Sequence, residues 1–414
     1  MNLTWYSHYF SPEIGAPSAR IYELSQSWLD MGNDVQVVTC FPNHPIGKIY
    51  PNYIRCKYMS EVLNGIKVHR NWSYITPNKG FIKKLIGHMS FLPLSLLLSN
   101  PHIARPDVVI GSSPTFFAAM AAAATGIKRN IPFIVEVRDL WPAIFVELGV
   151  LKNPFIIRML EYLELTLYKL AVRVVTVTDS FRQNLISRGV PPSKVVTIPN
   201  GADISHWQPI KPDAGLKRKL ELEYKFVVLY IGAHGISHAL GRILDSAECL
   251  KPFSDIHFLF VGEGAEKSQL IRQAQRKGLE NVTFLDPVDK EGVKAFYSIA
   301  DVCLVPLRNI GLFDSFIPSK MFEMMAMGRP VLASLSGESA DIIKRSGGGI
   351  IVEPENSEAL AQAVLHLSQH PEKGKTMGNN GRKFVRNNYS RCAFAIKYAR
   401  VLEDAVRDFQ AKKR

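Results

Sequence analysis

Short strand-like runs rich in apolar and β-branched residues, separated by stretches of helical period, set the pattern of this chain. In the first half they fall at residues 3–6, 34–40, 65–70, 107–110, 133–137 and 173–177. A strand covered on both faces reads as a continuous apolar run, and a half-exposed strand alternates. The pattern therefore predicts a parallel sheet with helices on both sides. Periodicity lapses after residue 198, where the turn Pro199-Asn200-Gly201 is followed by Pro209 and Pro212, and this marks a linker. The pattern restarts with runs at 226–231, 256–261, 282–285, 302–306, 330–334 and 349–352. From about residue 372 to 414 the tail reads as helical throughout. Two such sets predict an α/β protein of two Rossmann-like domains facing a cleft, residues 1–203 and 204–390, followed by a last helix at 391–414.

The densest chemistry lies in residues 313–331. The apolar run 302–306 reads as a buried strand. A helix is expected to open at Pro318-Ser319, with the Ser319 hydroxyl capping free N–H groups, and to stop at Gly328. The helix start then sits at the carboxyl edge of a parallel sheet, where such sheets take ligands. Free amides and Lys320 together favour a phosphate. Glu323, on the first turn, is placed to accept hydrogen bonds from paired sugar hydroxyls. This set points to a nucleotide-sugar site.

At 414 residues the chain exceeds one ordinary core, and 47% hydrophobic with 21% charged residues is a globular composition. The net charge of +13 asks for an anionic partner: nucleic acid, an anionic membrane or a phosphorylated substrate. The five cysteines are scattered without metal-ligand spacing and read as reduced thiols of a cytoplasmic protein. No secretory leader is expected, because Met1 runs straight into a strand-like segment. Two stretches mix basic and large apolar residues at helical spacing, 79–94 and 155–170. For 79–94, an interfacial surface on anionic lipid and an ordinary packed helix both stand open. For 155–170, an ordinary amphipathic helix with its apolar face on the sheet is the expectation. Nucleic-acid binding would need basic residues interleaved with aromatics along one surface, and no such module stands out.

The motif Pro318-Ser319-Lys320-Met321-Phe322-Glu323 with Gly328-Arg329-Pro330-Val331 resembles the nucleotide-sugar motif of family 4 glycosyltransferases, enzymes of the GT-B fold. Further segments carry the same resemblance in the family's order. They are Tyr9-Phe10-Ser11-Pro12-Glu13-Ile14-Gly15 with Ala19-Arg20, Val135-Glu136-Val137-Arg138-Asp139-Leu140-Trp141-Pro142, Ile198-Pro199-Asn200-Gly201-Ala202-Asp203, Val261-Gly262-Glu263-Gly264 and Ser336-Gly337-Glu338-Ser339-Ala340. More narrowly the chain resembles the WbuB-type branch, L-fucosamine transferases of bacterial surface-polysaccharide assembly. The resemblance implies a UDP-sugar donor, such as UDP-N-acetyl-L-fucosamine, held mainly by the second domain. It implies an acceptor on the first domain, transfer with retention, no cofactor and no required metal. It also implies a last helix that crosses back to the first domain.

Carried onto this chain, the resemblance makes Glu323 the ribose-binding acid of a Glu-x7-Glu motif. The first acid of that motif falls at Ser315, with Asp314 one place earlier. Asp314, or the backbone N–H groups of Phe316 and Ile317, would then meet the donor sugar. Ser319 and Lys320 would face the diphosphate. The family's Arg and Lys after the first strand of the second domain are replaced by Ala233 and His238, which leaves Lys320, Gly15 and Arg20 for the leaving group, with charge from His238 if its pKa rises. Glu263 would meet the base or ribose. Gly15 would let a diphosphate approach the backbone. Asp139, at a strand's carboxyl edge, would position the acceptor hydroxyl with base character, and Arg138 would pair with it or bind acceptor phosphate. The expected catalytic set is Asp139, Lys320 and Glu323. The expected partners are the UDP-sugar, an undecaprenyl-diphosphate-linked saccharide and the cytoplasmic face of an anionic inner membrane. A UDP-N-acetylglucosamine 2-epimerase shares the two-domain architecture and is the competing reading.

Overall fold

The computed structural model describes residues 1–413 except Ile14, Pro45, Ile46, Arg55, residues 77–80 and Pro114; the side chains of Ala16, Phe81, Ile82 and Lys84 are also outside the description. Lys79 and Gly80 of the basic apolar stretch, and Ile14 of the first motif, therefore lie outside the described residues. The chain forms two compact units, Met1–Pro199 with Cys392–Arg414, and Asn200–Arg391.

The first unit is built on an eight-stranded sheet in the order β3-β4-β2-β1-β5-β6-β7-β8. Its strands are β1 (Asn2–Tyr6), β2 (Asp34–Cys40), β3 (Tyr58–Leu63), β4 (Ile66–Asn71), β5 (Val108–Ser112), β6 (Phe133–Val137), β7 (Arg173–Thr176) and β8 (Val195–Thr197). The sheet is not wholly parallel as expected: β3 pairs antiparallel with β4, through Tyr58↔Asn71 to Leu63↔Ile66. Its alternating, half-exposed residues are those of an edge strand, which gives no continuous apolar run. β8, at three residues, is too short to show as a run. Five helices matter below: α1 (Ala16–Asp30), α2 (Phe81–Leu94), α3 (Phe116–Arg129), α4 (Ala143–Glu147) and α5 (Pro154–Leu170).

The tail is two helices, Pro371–Asn388 and Arg391–Ala411, broken at Tyr389-Ser390. The second packs into the first unit. Trp5 stacks on Trp28 with ring centroids 5.5 Å apart, and Tyr398 meets both edge-on. The Trp28 indole N–H donates to the Ala395 carbonyl at 3.0 Å. These fully buried rings close the core under β1 and fix the C-terminal helix there.

α5 departs from expectation. Its Asn153 side chain caps the first turn, accepting from the Phe155 and Ile156 amides. The inward face carries Glu164, Leu167 and Tyr168, all buried. The large apolar residues Phe155, Met159 and Tyr162 point outward. The sheet therefore takes only one of two apolar faces.

The second unit has a six-stranded, wholly parallel sheet in the order β11-β10-β9-β12-β13-β14. The strands are β9 (Phe226–Ile231), β10 (Ile256–Val261), β11 (Val282–Leu285), β12 (Val302–Pro306), β13 (Val331–Ser334) and β14 (Gly349–Val352). In both units the strand order doubles back at the first strand, leaving a crevice at the carboxyl ends of β1 and β5 and of β9 and β12.

One buried ion pair organises the crevice side of the first unit. Arg20 Nε lies 2.9 Å from Glu136 Oε1, with the two side chains 4% and 0% exposed. Arg20 also donates to the carbonyls of Pro199 and Ile198, and Ser112 Oγ donates to Glu136 Oε2. Arg20 is therefore a structural cation, not the leaving-group ligand expected from its motif. Glu136→Ala strands a buried guanidinium and is expected to destabilise this unit by about 3–5 kcal/mol. The double change Arg20→Met with Glu136→Leu is expected to lose less than Glu136→Ala. Denaturant midpoints of the unit's unfolding transition check both.

Candidate active site

In the second unit, β9 ends at Ile231 and β12 at Pro306, on either side of the crevice. Lys320 opens the helix Lys320–Ala326 beyond β12. Its Nζ stands 3.8 Å from the centroid of the Tyr230 ring and 3.4 Å from the Ile231 carbonyl. Burial pulls this ammonium down to about 7, against the opposing charge of Glu323. A partly desolvated cation over an aromatic face, with one long hydrogen bond, is poised to take an anionic partner. Gly232 turns the chain beside Lys320 with a φ of +139°, a conformation that L side chains rarely adopt. Gly262, at φ +143°, is needed beside it, because a Cβ would fall 2.0 Å from the Gly232 carbonyl oxygen.

Glu323 follows one turn along the same helix, half-buried. Burial pushes its carboxyl up to about 7, opposed by the charges of Lys290 and Lys320 and by a hydrogen bond from Tyr297. Tyr297 is itself buried, on the helix Lys290–Ile299. Its hydroxyl orients the carboxylate, a role the sequence did not signal because Tyr297 sits in an apolar run. Tyr230 was missed for the same reason.

The capping expectation fails. Ser319 has helical backbone angles and makes no side-chain capping bond, and the helix is only seven residues long. Its dipole is correspondingly small, so Lys320 carries the local positive charge. Asp314 is exposed on the short turn Gly311–Ser315 and accepts from the Ser336 hydroxyl. Ser315 Oγ is committed to the Leu312 carbonyl at 2.6 Å. The Phe316 amide already bonds the Phe313 carbonyl at 3.0 Å, and the Phe316 carbonyl accepts from Ser339 Oγ. The expected sugar contact from the Phe316 N–H is thus taken internally, and the Ile317 side chain is buried.

His238 donates from Nδ1 to the Pro306 carbonyl at 3.3 Å. Burial and the Lys320 charge push it down to about 3, so the ring is neutral here. It offers an acceptor nitrogen, not the cationic charge the sequence allowed. Glu263 is exposed; Oε1 accepts from the Gly264 amide at 3.0 Å and Oε2 lies 3.4 Å from Lys267 Nζ.

In the first unit, Ser113 Oγ accepts from the Arg138 amide at 2.8 Å, setting the turn after β6. Arg138, nearly buried, donates to the Pro17 carbonyl at 3.1 Å, and burial holds it near 10. Asp139 is pushed up to about 6 by burial, against the charge of Arg138. Gly15 caps α1 with extended backbone, and a Cβ there would meet only Pro17 Cδ at 3.7 Å. The fold itself does not require a glycine there.

Gly15 lines a cavity of about 390 Å³, together with Tyr9, Glu13, His44, His88 and Trp141. Tyr9 Oη lies 3.2 Å from His88 Nε2. Glu13, buried, accepts from the amides of Phe10, Asn43 and His44 at 3.2, 2.7 and 2.8 Å. Burial raises it to about 7. An apolar cavity with a few convergent polar groups is the usual form of a small-molecule site. Glu13 stood inside a quoted motif and His88 inside the basic apolar stretch, and neither had been assigned a role. Among the described residues, no cluster of three or more His, Cys, Asp or Glu side chains stands ready to hold a metal.

Residues 18–206 match the model of Glycosyltransferase Family 4, and residues 225–370 that of Glycosyl transferases group 1. The chain is a GT-B glycosyltransferase. It is 25% identical over 384 residues to WcaI of Escherichia coli K12, named for glycosyl transfer in colanic acid biosynthesis, covering 89% of this chain and 93% of that one. Its fold is similar to that of sucrose-phosphate synthase from Thermosynechococcus elongatus, with a TM-score of 0.76 at 18% identity, over 97% of this chain and 98% of that one. It is also similar to Anabaena HepE in complex with UDP and glucose, with a TM-score of 0.72 at 17% identity, over 97% and 99% of the two chains.

In this glycosyltransferase, Lys320, Glu323, Tyr230 and Tyr297 form one connected set at the second unit's crevice. Glu323→Ala is expected to lower kcat/KM by about 2–4 kcal/mol in transition-state stabilisation, roughly 30- to 900-fold, in a folded protein. Tyr297→Phe removes only the orienting hydroxyl and is expected to lose about 0.5–1.5 kcal/mol. Steady-state kinetics on the two variants check the order.

Proposed function

We propose that this glycosyltransferase moves a sugar from a UDP-sugar to a hydroxyl of a saccharide carried on a membrane lipid, with retention of anomeric configuration. The observation that carries the reading is Lys320 held over Tyr230 with Glu323 one turn beyond it, at the crevice of the second unit. An ammonium poised for phosphate and a carboxylate for ribose hydroxyls are the two contacts a nucleoside diphosphate needs. HepE, of similar fold, was crystallised with UDP and glucose, which supports a uridine donor. The relation to WcaI supports surface-polysaccharide assembly as the setting. N-acetyl-L-fucosamine as the donor sugar and undecaprenyl diphosphate as the acceptor's carrier rest on the motif resemblance. Work at the cytoplasmic face of the inner membrane follows from such an acceptor.

In this reading Lys320 neutralises the diphosphate as it leaves, so charge develops against a fixed cation. Glu323 binds the ribose, and Asp314, Ser315, Ile317 and Ser319 frame the donor sugar. Neutral His238 supplies a hydrogen-bond acceptor, and Glu263 reaches the ribose or base. Gly15 leaves room for the phosphates. Asp139 accepts a hydrogen bond from the attacking acceptor hydroxyl, and Arg138 holds the acceptor's charged part. The hydroxyl attacks the face the diphosphate leaves, and the diphosphate takes up the proton. Metal is not required, because Lys320 meets the charge a metal would otherwise carry.

The pH dependence of Lys320 tests this directly. The ammonium titrates near 7 in the free protein. Below that pH it is charged and binds UDP as it stands. Above it, binding must first take up a proton, so UDP affinity is expected to fall by up to about tenfold per pH unit between about pH 7 and 9. Lys320→Arg, always charged, is expected to flatten that slope. Calorimetric titration with UDP checks both, and a flat profile in the unmodified protein would overturn the role of Lys320. Asp139, with its carboxyl near 6, is protonated below that pH. Acceptor turnover, followed by UDP release with EDTA present, is expected to fall below about pH 6 and to lose that acid limb in Asp139→Asn.

A further inference from the structure

α5 carries apolar residues on its outer side as well as its inner one. Phe155, Met159 and Tyr162 follow at four- and three-residue steps, Leu163 lies four on from Met159 and Leu170 two turns beyond Leu163, so they form one stripe. Phe155 is 78% exposed, Tyr162 71% and Leu170 58%. A helix packed on a sheet ordinarily turns polar residues to solvent, and one that is apolar all round is ordinarily buried on every side. The exposed charges of α5 are Arg158 and Lys169; in the run before it Lys152 and Glu147 are also exposed. The acids of α5 are withdrawn: Glu161 is half-buried, and Glu164 is fully buried against Arg188 Nη2 at 2.5 Å.

α2 has the same character. Ile86 and Met89 are exposed, with Lys83 beside them. α2 and α5 both pack against α3, so they lie on the same side of the sheet. The cavity draws one wall from α2, through Leu85 and His88, and another from the run into α5, through Leu148 and Val150. No helix among the described residues is long and apolar enough to cross a bilayer. The stripe suits a helix lying in the plane of a membrane interface, about 25 Å long, with its cations at the headgroups.

We infer that the outer face of α5, with the exposed end of α2, seats this protein on an anionic phospholipid bilayer, so that a lipid-borne acceptor reaches the cavity from the membrane. The occupant is the bilayer because every exposed charge on α5 is positive and the chain as a whole carries +13. The inference rests on the proposed lipid-linked acceptor, yet its test uses vesicles that hold no acceptor, so it and transfer activity fail separately.

The experiment is flotation of the full chain with phosphatidylcholine vesicles, with and without phosphatidylglycerol. Binding is expected to need the anionic lipid and to weaken in high salt. Phe155→Glu with Tyr162→Glu is expected to lower vesicle affinity at least about tenfold, and Arg158→Glu with Lys169→Glu to weaken it severalfold, with UDP affinity unchanged. These residues are exposed, so the fold should hold. As a second readout, the indole introduced by Phe155→Trp is expected to shift its emission to the blue on anionic vesicles and to be quenched by brominated lipid. Vesicle binding unaffected in both double variants, or no blue shift in the Phe155→Trp variant, would overturn the inference. So would a dimer in solution that dissociates in Phe155→Glu with Tyr162→Glu while vesicle binding persists, because the stripe would then be covered by a second copy.

Discussion

A parallel sheet whose strand order doubles back at its first strand cannot have both flanking loops covered by the same layer of helices. That constraint acts once in each unit, at β1 and β5 and at β9 and β12. The chemistry follows it. In the second unit the loop after β9 supplies Gly232 and His238, and the loop after β12 supplies Asp314 and leads into Lys320. In the first unit the loop after β1 supplies Glu13 and Gly15, and the turn after β6 supplies Arg138 and Asp139. Within each unit, residues far apart in the chain converge because these strands end at the same edge.

Burial at those edges then sets protonation. Lys320 and Glu323 both titrate near 7: lost hydration works against the Glu323 charge at Lys320, and against the charges of Lys290 and then Lys320 at Glu323. Asp139, near 6 beside a buried arginine, follows the same rule in the first unit. A group poised this close to neutrality responds strongly when a charged ligand displaces water. Arg20 shows the opposite case. Its Nε, Nη1 and Nη2 are engaged by Glu136 and the Pro199 and Ile198 carbonyls, and it is almost wholly buried, so it ties the start of α1 to the strand edges.

The outer face of α5 is set by what the sheet does not cover. The inward face is satisfied by Leu167, Tyr168 and the Glu164–Arg188 pair. The apolar stripe on the other side therefore adds nothing to the unit's own core. Its place beside α2 and the cavity connects a surface property to the proposed lipid-borne acceptor.

The central strands were legible in the sequence because a strand buried on two faces is apolar along most of its length; the runs at 226–231 and 302–306 are strands over just those residues. The helix carrying Lys320 and Glu323 was legible from its stop at Gly328, where a φ of +68° ends it, although the Ser319 cap expected at its start does not form. β3 was hidden, because an edge strand alternates like many loops. The partners of the site residues were hidden too. Tyr297 beneath Glu323, Tyr230 beneath Lys320, the neutral state of His238 and the commitment of Arg20 all depend on neighbours distant in the chain or on depth below the surface. For α5 the sequence determined only that apolar residues surround the helix. Which face met the sheet, and which was left uncovered, was decided by packing against α3, because a helix with two apolar faces has no preferred side until its neighbours cover one.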